Sequence, residues 1–299
     1  MTTNAVKDAV VLGYDGTPRS DAALEWAARY AMTHGRPLLI AYAAGVPTAY
    51  DSFSGIQENR EDLRVLGQQV LDAAVARIHE LAPGLTVHTH VALGNAHHVL
   101  LELAEGAHLL VVGSRGRGSF ASLLLGSVSV DLSSHAPCPV VVVRPQKDRA
   151  RFGPYLHHVV VGVDGTEASR GALDVGFALA STERKPLAVV HAWGATGVYA
   201  DLLTYEARLD AAEEHELSVA ESIAGYAERY PDVHVTQHQE EEDPARALVM
   251  ASEDADLLVL GSRGRGDAAS VVFGSVSRYV VEHASCPVLV VRRSPVPAS

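Results

Sequence analysis

The sequence lacks the features that mark secreted and membrane proteins. Only two cysteines occur in 299 residues, Cys138 and Cys286, which excludes a disulfide framework and fits a reducing compartment. No apolar run approaches the roughly 18 residues that a membrane-spanning helix needs. The first ten residues have neither the basic nor the apolar region of a secretory signal. We therefore expect a globular, cytoplasmic protein.

Positive charge is also scarce. The chain has 24 Lys and Arg against 36 Asp and Glu, a formal net charge of −12. Most of the excess of acidic over basic residues lies in residues 151–299, which hold 12 basic and 22 acidic residues. Residues 1–150 hold 12 basic and 14 acidic residues. Such a chain repels a polyphosphate backbone at long range, which argues against nucleic acid as a partner. A small anion held by local groups remains compatible with this charge.

The chain repeats itself. VVLGYDGT at 10–17 recurs as VVVGVDGT at 159–166, and HLLVVGSRGRG at 108–118 recurs as DLLVLGSRGRG at 256–266. GSVS and the HA(P/S)CPV segment also recur, at an offset of 148 or 149 residues. This is the size of a whole domain and not of a solenoid repeat. We predict two copies of one domain, at 1–147 and 157–299, joined by a linker at 148–156.

Within each copy, short strand patterns alternate with helical ones. Continuous β-branched runs near 8–14, 37–43, 85–92, 108–113 and 138–144 are typical of strands covered on both faces. Helical spacing predicts a helix that Thr17 and Pro18 begin, and its counterpart in the second copy. Further helices are predicted at 58–82, 95–106, 203–230 and 243–254. The fold class is therefore α/β, with two tandem doubly wound, Rossmann-like domains, each a parallel sheet with helices on both faces.

Two strand ends carry the residues suited to binding. Strand 1 ends in Gly13-Tyr14-Asp15-Gly16, and strand 4 leads into a glycine-rich loop followed by Gly126-Ser127. In a doubly wound sheet, ligands bind beyond the carboxyl ends of strands where the winding reverses. There, glycine amides and a helix N-terminus favour phosphate, and a carboxylate can accept from ribose hydroxyls. The alternative is that the glycines only form turns and Asp15 only caps the following helix.

Other chemistries have weaker support. Neither a P-loop lysine motif nor the dinucleotide GxGxxG fingerprint occurs in the first strand–helix turn. Fifteen histidines occur, but the pairs His97-His98 and His157-His158 point in divergent directions, and four convergent metal ligands are missing. No catalytic residue and no metal ligand is therefore assigned. We predict a binding protein and not an enzyme, with slow nucleotide hydrolysis as an open alternative.

The glycine pattern resembles that of a known family. Gly113-x2-Gly116-x9-Gly126-Ser127 and its copy from Gly261 to Ser275 are similar to the ATP-binding motif of the universal stress protein family. The strand-1 aspartates and the Cys-Pro-Val endings agree, and the likeness covers nearly the whole chain. The resemblance implies a five-stranded sheet of order 3-2-1-4-5, ATP in the crevice, dimerisation through the fifth strand and a role in stress response or growth regulation.

The resemblance also assigns site residues. The aspartates would contact the adenosine sugar, and the loop and helix start would hold phosphates and ribose. Ala41 and Val190 would line the adenine pocket, and Val112 and Leu260 would pack near the base. In the first domain the residues are Gly13, Asp15, Ala41, Val112, Gly113, Arg115, Gly116, Gly118, Gly126, Ser127, Val128 and Ser129. In the second they are Gly162, Asp164, Val190, Leu260, Gly261, Arg263, Gly264, Gly266, Gly274, Ser275, Val276 and Ser277. Arg115 and Arg117 are equally explained as solvated loop residues.

The two copies differ in charge near the loop. Ser119 corresponds to Asp267, and Gly94-Asn95 corresponds to Glu242-Asp243 at the end of an acidic run. Carboxylates near a polyphosphate weaken binding unless a divalent cation bridges them. We expect Mg²⁺ to accompany the phosphates, and the second site to bind ATP less tightly without it.

Two classes of function therefore stand. The first is an ATP-binding regulatory protein with one nucleotide per domain, and slow hydrolysis is a variant of it. The second is an interaction scaffold with vestigial crevices and an unidentified protein partner. In either case, the apolar fifth strands at 138–144 and 286–292 need cover, which predicts a homodimer or an intrachain pseudo-dimer.

Overall fold

The chain divides between residues 145 and 146 into two units, which correspond to the two copies of the repeat. The structure is a computed structural model, and it describes residues 7–45, 56–114, 126–145, 152–194, 205–264 and 273–292. Part of the predicted linker, 148–151, lies outside the described residues. Residues 153–157 form a turn and bend that precede the first strand of the second unit.

Runs of valine and leucine form five parallel strands in the first unit, as their continuous apolar character predicts. Each strand pairs with its neighbours in the order β3-β2-β1-β4-β5. The winding direction therefore reverses between β1 and β4, and Gly13 at the end of β1 lies beside Val112 in β4. The strands are β1 (Val10–Gly13), β2 (Leu38–Ala44), β3 (Val87–Leu93), β4 (Leu109–Gly113) and β5 (Val140–Val143).

In the described part of this unit, four helices cover the sheet. They are α1 (Pro18–Thr33), α2 (Ile56–Leu81), α3 (Ala96–Ala104) and α4 (Ser127–His135). Helix α1 packs on β1, β4 and β5, whereas α2 packs on β2 and β3. Helix α3 packs on β1 and β2 and contacts α4, which packs on β5. Because helices cover both sides, the central strand β1 is fully buried through Leu12.

The second unit repeats this arrangement. Its strands are β6 (Val159–Val163), β7 (Leu187–Trp193), β8 (Val235–Glu241), β9 (Leu257–Gly261) and β10 (Val288–Val291), paired in parallel in the order β8-β7-β6-β9-β10. Its helices are α5 (Glu167–Glu183), α6 (Tyr205–Ile223), α7 (Tyr226–Arg229), α8 (Pro244–Ala251) and α9 (Ser275–His283). The predicted α/β fold class and the 3-2-1-4-5 order are confirmed in each unit.

One predicted helix is wrong. The pattern at 203–230 predicts a single helix, but the structure ends α6 at Ile223 and begins α7 at Tyr226. Gly225 between them has φ of 83°, a left-handed conformation that stops a helix and that glycine adopts without strain. The apolar spacing continues across the break and therefore could not reveal it. Among the described residues, no helix is both long and apolar enough to cross a membrane.

Candidate functional site

A tight turn after β1 fixes the side chain of Asp15. Gly16 has φ of 74°, so the chain turns back at once and brings Thr17 beneath the carboxylate. The backbone N–H of Thr17 donates to Asp15 Oδ1 at 3.0 Å, and the Thr17 hydroxyl donates to the same oxygen at 2.8 Å. One carboxylate oxygen is thus held by two donors from one residue.

The second unit builds the same turn around Asp164. Gly165 has φ of 72°, and Thr166 donates to Asp164 Oδ1 from its backbone N–H at 3.0 Å and from its hydroxyl at 2.6 Å. A third donor is added here, because the Ser169 hydroxyl lies 3.0 Å from the same oxygen. The alternative, that each aspartate serves only to form the turn, therefore accounts for one oxygen of each carboxylate.

The other oxygen of each aspartate is not accounted for by this turn. Asp15 Oδ2 and Asp164 Oδ2 are both buried and have no hydrogen-bond partner in the part of the chain that the structure describes. A buried polar atom left without a partner costs about 1–3 kcal/mol, and more when it is charged. The same atom is left in both units, so each site requires a donor that the described residues do not supply.

The glycine-rich loops are anchored at both ends. In the first unit Ser114 N donates to Val143 O at 2.8 Å, and Gly126 N donates to Ser114 O at 2.8 Å. Ser262 in the second unit accepts in the same way from Gly274 N at 2.8 Å. These bonds place the start of α4 and α9 directly beyond the ends of β4 and β9. The predicted loop residues Arg115, Gly116, Gly118 and Gly266 lie outside the described residues.

The second unit brings the two halves of the predicted site together. A Cβ added to Gly264 would lie 3.1 Å from Asp164 Oδ2, the unpartnered oxygen. Gly264 has an ordinary backbone conformation, since its φ does not lie in the left-handed region. Glycine is therefore needed here for a close approach and not for a turn. Arg263 beside it is exposed at the mouth of the same loop.

The first turns of α4 and α9 offer amides without a capping side chain. Gly126 and Gly274 occupy the N-cap positions and make no side-chain cap bond. Ser127 and Ser275 follow and are exposed, whereas Val128 and Val276 are half-buried. A helix start of this kind has unpaired N–H groups and a partial positive charge.

The last two serines predicted to hold phosphate point inward instead. The Ser129 hydroxyl donates to Gly113 O at 2.8 Å, and the Ser277 hydroxyl donates to Gly261 O at 2.7 Å. Both side chains are buried. Each hydroxyl hydrogen is therefore used to join the helix start to the end of the fourth strand, and only the backbone amide of each residue remains to face a ligand.

The four residues predicted to line the adenine pocket or to pack near the base lie in the core. Ala41, Val112, Val190 and Leu260 are each exposed by 4% or less. They flank the strand-1 glycines: Gly13 pairs with Ala41 and Val112, and Gly162 pairs with Val190. They therefore lie at the end of the first strand of each unit, where the winding reverses, and their contact with a base stays a prediction.

The strand-1 glycines themselves make room for helix side chains. A Cβ on Gly13 would lie 2.7 Å from Leu100 Cδ1 in α3. A Cβ on Gly162 would lie 2.6 Å from Leu260 and 2.9 Å from Leu248 in α8. Glycine at these positions lets the helices pack closely against the end of the central strand.

The acidic run of the second unit is held by local partners. Asp243 caps α8 by accepting from Arg246 N at 3.0 Å, where Asn95 caps α3 in the first unit by accepting from His97 N at 2.9 Å. The Glu242 carboxylate accepts from Asp243 N at 2.9 Å. These negative charges lie at the start of α8, where the first unit has the uncharged Gly94 and Asn95 at the start of α3.

A charged cluster beside Asp15 was not found from the sequence. The Tyr14 hydroxyl donates to Asp21 at 2.7 Å, and Arg77 of α2 lies 2.8 Å from the same carboxylate and also pairs with Glu25. Burial and the bond to Asp21 raise the pKa of Tyr14, so its hydroxyl stays protonated. Arg77 is distant from Tyr14 in the sequence, so residue patterns do not reveal this cluster. The one available sign that the two units differ here was that Tyr14 is replaced by Val163 in the second copy.

The second unit has a histidine pair that is absent from the first. Buried His191 faces Val163 O at 2.8 Å through Nδ1, which must therefore carry a proton, and its Nε2 lies 3.0 Å from His215. In the first unit Tyr42 takes the place of His191, and Gly67 of α2 lies over it, with an added Cβ only 2.8 Å from the ring. The first unit thus has a tyrosine and a glycine where the second unit has two histidines. This correspondence is visible only once the helices are placed on the sheet.

The structure offers little support for metal or thiol chemistry. Within the described residues, no group of three or more His, Cys, Asp or Glu side chains is placed to hold a metal ion. Both cysteines are buried and reduced. Burial raises the pKa of the Cys138 thiol to about 12, so it stays protonated and unreactive at neutral pH.

The fold defines a class of protein: a tandem pair of doubly wound domains, each of which reverses its winding between its first and fourth strands. A family model described as the universal stress protein family matches residues 8–144 and again residues 156–292. The chain therefore belongs to the universal stress protein family, in its tandem two-domain form, and so to a family of stress-response proteins.

Two relatives agree with this assignment, and one solved structure shares the fold. Universal stress protein Rv2623 of Mycobacterium tuberculosis is 35% identical over 293 residues, which cover 95% of this chain and 96% of the relative. Universal stress protein Rv2005c of the same organism is 36% identical over 296 residues, with 95% and 97% covered. The crystal structure of a universal stress protein from Archaeoglobus fulgidus has a TM-score of 0.68 at 21% identity and covers 95% of this chain and 98% of its own, which shows a shared fold.

Proposed function

We propose that each domain binds one adenine nucleotide, ATP with Mg²⁺, in the crevice between its first and fourth strands. The protein then acts as a nucleotide-dependent regulator in the stress response. Occupancy by a ligand stabilises the folded form by RT ln(1 + [L]/Kd), so the nucleotide level would set how far the folded crevice is stabilised. The regulatory partner is a protein that binds one of these states.

The unpartnered aspartate oxygens carry this proposal. Asp15 Oδ2 and Asp164 Oδ2 are buried at the crevice end of the central strand and need a hydrogen-bond donor. A ribose offers hydroxyl donors to such a carboxylate, as in dinucleotide sites. A scaffold with vestigial crevices gives no reason for an unsatisfied carboxylate in both units, so this observation favours the nucleotide.

The helix starts supply the complementary site for the phosphates. The uncapped amides at the starts of α4 and α9 lie directly beyond the fourth strands and attract negative charge. Each such helix end contributes about 0.3–1 kcal/mol to anion binding at an exposed site. This local attraction is needed because the chain as a whole has a net charge of −12.

We propose binding without efficient turnover. Hydrolysis of ATP requires a group that orients the attacking water near the γ-phosphate. The one acidic residue of α4, Asp131, is replaced by Tyr279 in α9. The aspartates that are repeated, Asp15 and Asp164, are held at the end of β1 and β6 by their own turns.

The assembly of the protein is a separate proposal. We infer that the apolar fifth strands, β5 and β10, are covered by pairing within one chain or between two chains, because an unpaired apolar edge is prone to association. Light scattering coupled to size-exclusion chromatography distinguishes the two, since only the second predicts a dimer that dissociates on dilution.

Calorimetric titration with ATP tests the nucleotide assignment. Denaturing the purified protein should release an adenine nucleotide, and the wild-type chain freed of that nucleotide should bind two equivalents of ATP. Gly264→Val should remove one equivalent, because its side chain would occupy the space next to Asp164 Oδ2 without straining the backbone. Gly264→Ala, whose Cβ lies 3.1 Å from that oxygen, is the matched control and should bind with intermediate affinity. Two full equivalents in Gly264→Val would refute the site.

A further inference from the structure

The threonine after each aspartate turn has an unusual hydrogen-bonding role. Thr17 and Thr166 occupy the N-cap positions of α1 and α5, with nearly identical backbone angles of −87°, 153° and −90°, 161°. An N-cap hydroxyl normally accepts from an amide in the first helical turn. Neither threonine makes this bond. Both hydroxyls donate to the preceding aspartate instead, at 2.8 Å and 2.6 Å.

This geometry determines where the second oxygen points. An aspartate carboxylate has two torsions, and a single bond to Oδ1 would leave the group free to swing. Two donors from one residue, the backbone N–H and the hydroxyl of Thr17, hold Oδ1 from two directions. The direction of Oδ2 then follows from the planar carboxylate. The hydroxyl of the threonine is thus used to aim the unpartnered oxygen and not to stabilise the helix end.

The two units differ in the number of donors that hold Oδ1 and so fix the direction of Oδ2. In the second unit the Ser169 hydroxyl lies 3.0 Å from Asp164 Oδ1 and also 2.8 Å from Thr166 O, so its one hydrogen is shared between them. In the first unit the equivalent Ser20 hydroxyl donates to Thr17 O at 2.8 Å. Asp164 therefore has a supplementary donor that would remain if Thr166 lost its hydroxyl.

We propose that Thr17 and Thr166 are positioning residues that set the selectivity of the two sites for a ribose over a sugar without hydroxyls, with Ser169 as a reserve hold in the second site. This inference rests on the proposed nucleotide function. The threonines act through Asp15 and Asp164 and do not touch the ligand. Removing a hydroxyl lets the carboxylate rotate, so that the ribose hydroxyls lose their acceptor while the base and phosphates keep their contacts.

The test compares ATP with 2′,3′-dideoxy-ATP, which lacks both ribose hydroxyls. Each site is read alone, the first in a Gly264→Val background and the second in a Gly116→Val background. The measured quantity is the dissociation constant of dideoxy-ATP divided by that of ATP. We expect Thr17→Val to lower this ratio by about tenfold, the value of one hydrogen bond to a charged group, by weakening ATP and leaving dideoxy-ATP unchanged. Thr166→Val should lower it by only about threefold, because Ser169 still holds Asp164.

Serine variants provide the matched control. Thr17→Ser and Thr166→Ser keep the hydroxyl and should restore the wild-type ratio, whereas a role in packing alone would not distinguish serine from valine in this way. In the double variant Thr166→Val with Ser169→Ala, the ratio of dissociation constants at the second site should fall by about as much as Thr17→Val lowers it at the first site.

Three outcomes overturn the inference, and one of them also overturns the ribose-binding role proposed for the aspartates, whereas a failure of the proposed function itself would appear as no binding of ATP by the wild-type chain. Equal weakening of ATP and dideoxy-ATP by Thr17→Val would show that the threonine is only structural. A ratio that Thr17→Ser fails to restore would do the same. A wild-type ratio of one would show that no ribose contact exists, which overturns the aspartate's proposed role as well as this inference.

Discussion

Replacing Asp164 by asparagine separates a structural role of this aspartate from a ligand-binding one. Asparagine keeps the shape of the side chain, and its carbonyl oxygen can still accept from Thr166 and Ser169. Those bonds lose about half of their strength because the acceptor is no longer charged. The asparagine N–H₂ is then buried where Oδ2 was and also lacks a partner, but it is uncharged, so its lower desolvation cost partly offsets this loss. We therefore expect the free energy of unfolding without ligand to change by less than about 1 kcal/mol.

The same change should strongly weaken nucleotide binding. The asparagine side chain would present an amide N–H₂, which cannot accept from a ribose hydroxyl, where Asp164 presents a carboxylate oxygen. The loss of a hydrogen bond to a charged acceptor is worth about 1.5–3 kcal/mol, or about 10- to 150-fold in the dissociation constant. At an ATP concentration about 100 times the wild-type Kd, ligand adds about 2.7 kcal/mol of stability, and a roughly 30-fold weaker site reduces this to about 0.9 kcal/mol.

The chain provides a built-in reporter for the assay. Its two tryptophans lie one in each unit, Trp26 in α1 and Trp193 in β7. In a Trp26→Phe background, Trp193 fluorescence during urea unfolding follows the second unit alone, with and without ATP. Asp15→Asn is the matched control and should leave this signal unchanged. If Asp164→Asn lowers the stability without ligand by more than about 2 kcal/mol and keeps the ATP effect, the aspartate is an ordinary turn residue and the reasoning fails.

Three further results are expected. Gly162→Ala should lower the free energy of unfolding of its unit by about 1–3 kcal/mol. This loss should exceed that of Gly13→Ala, because a Cβ on Gly162 would meet two leucine side chains at 2.6 and 2.9 Å, whereas a Cβ on Gly13 would meet one at 2.7 Å. Equal losses in urea unfolding would contradict this. Burial lowers the pKa values of His90 and His238 below 6.5, so the unfolded chain binds protons more readily and stability falls as the pH drops below about 6.5. His90→Gln and His238→Gln should each flatten that fall, and unchanged slopes would argue against it. Because of the acidic run 240–243, ATP affinity at the second site should depend on Mg²⁺ more than at the first, which titrations with and without chelator will check.

Much of the fold could be predicted from local patterns. Continuous runs such as Val140–Val143 indicate strands buried on both faces, and amphipathic stretches between them predict the covering helices. The internal repeat predicts the two-domain organisation without any alignment. What these patterns could not show was the break at Gly225, since the helical spacing continues through it.

The candidate site was predicted in its parts and not in its connections. The end of strand 1 and the glycine loop were each recognisable, because both segments recur in the two halves of the chain. Only the folded chain brings Gly264 to Asp164, which lies 100 residues away in the sequence. The sequence also could not show that Ser129 turns inward to Gly113 O, since the identity of a residue does not tell whether its hydroxyl faces a ligand or the backbone.

The amino-acid sequence by itself determined which segments become strands and helices, that there are two copies, and which residue types line each crevice, because these depend on side-chain spacing along the chain. The tertiary structure alone decided which polar atoms are satisfied. Asp15 and Asp164 each have one oxygen held by the following threonine and one left for another donor. That division depends on the neighbours of each atom in three dimensions, and hydrogen bonds are made or lost within a few tenths of an ångström.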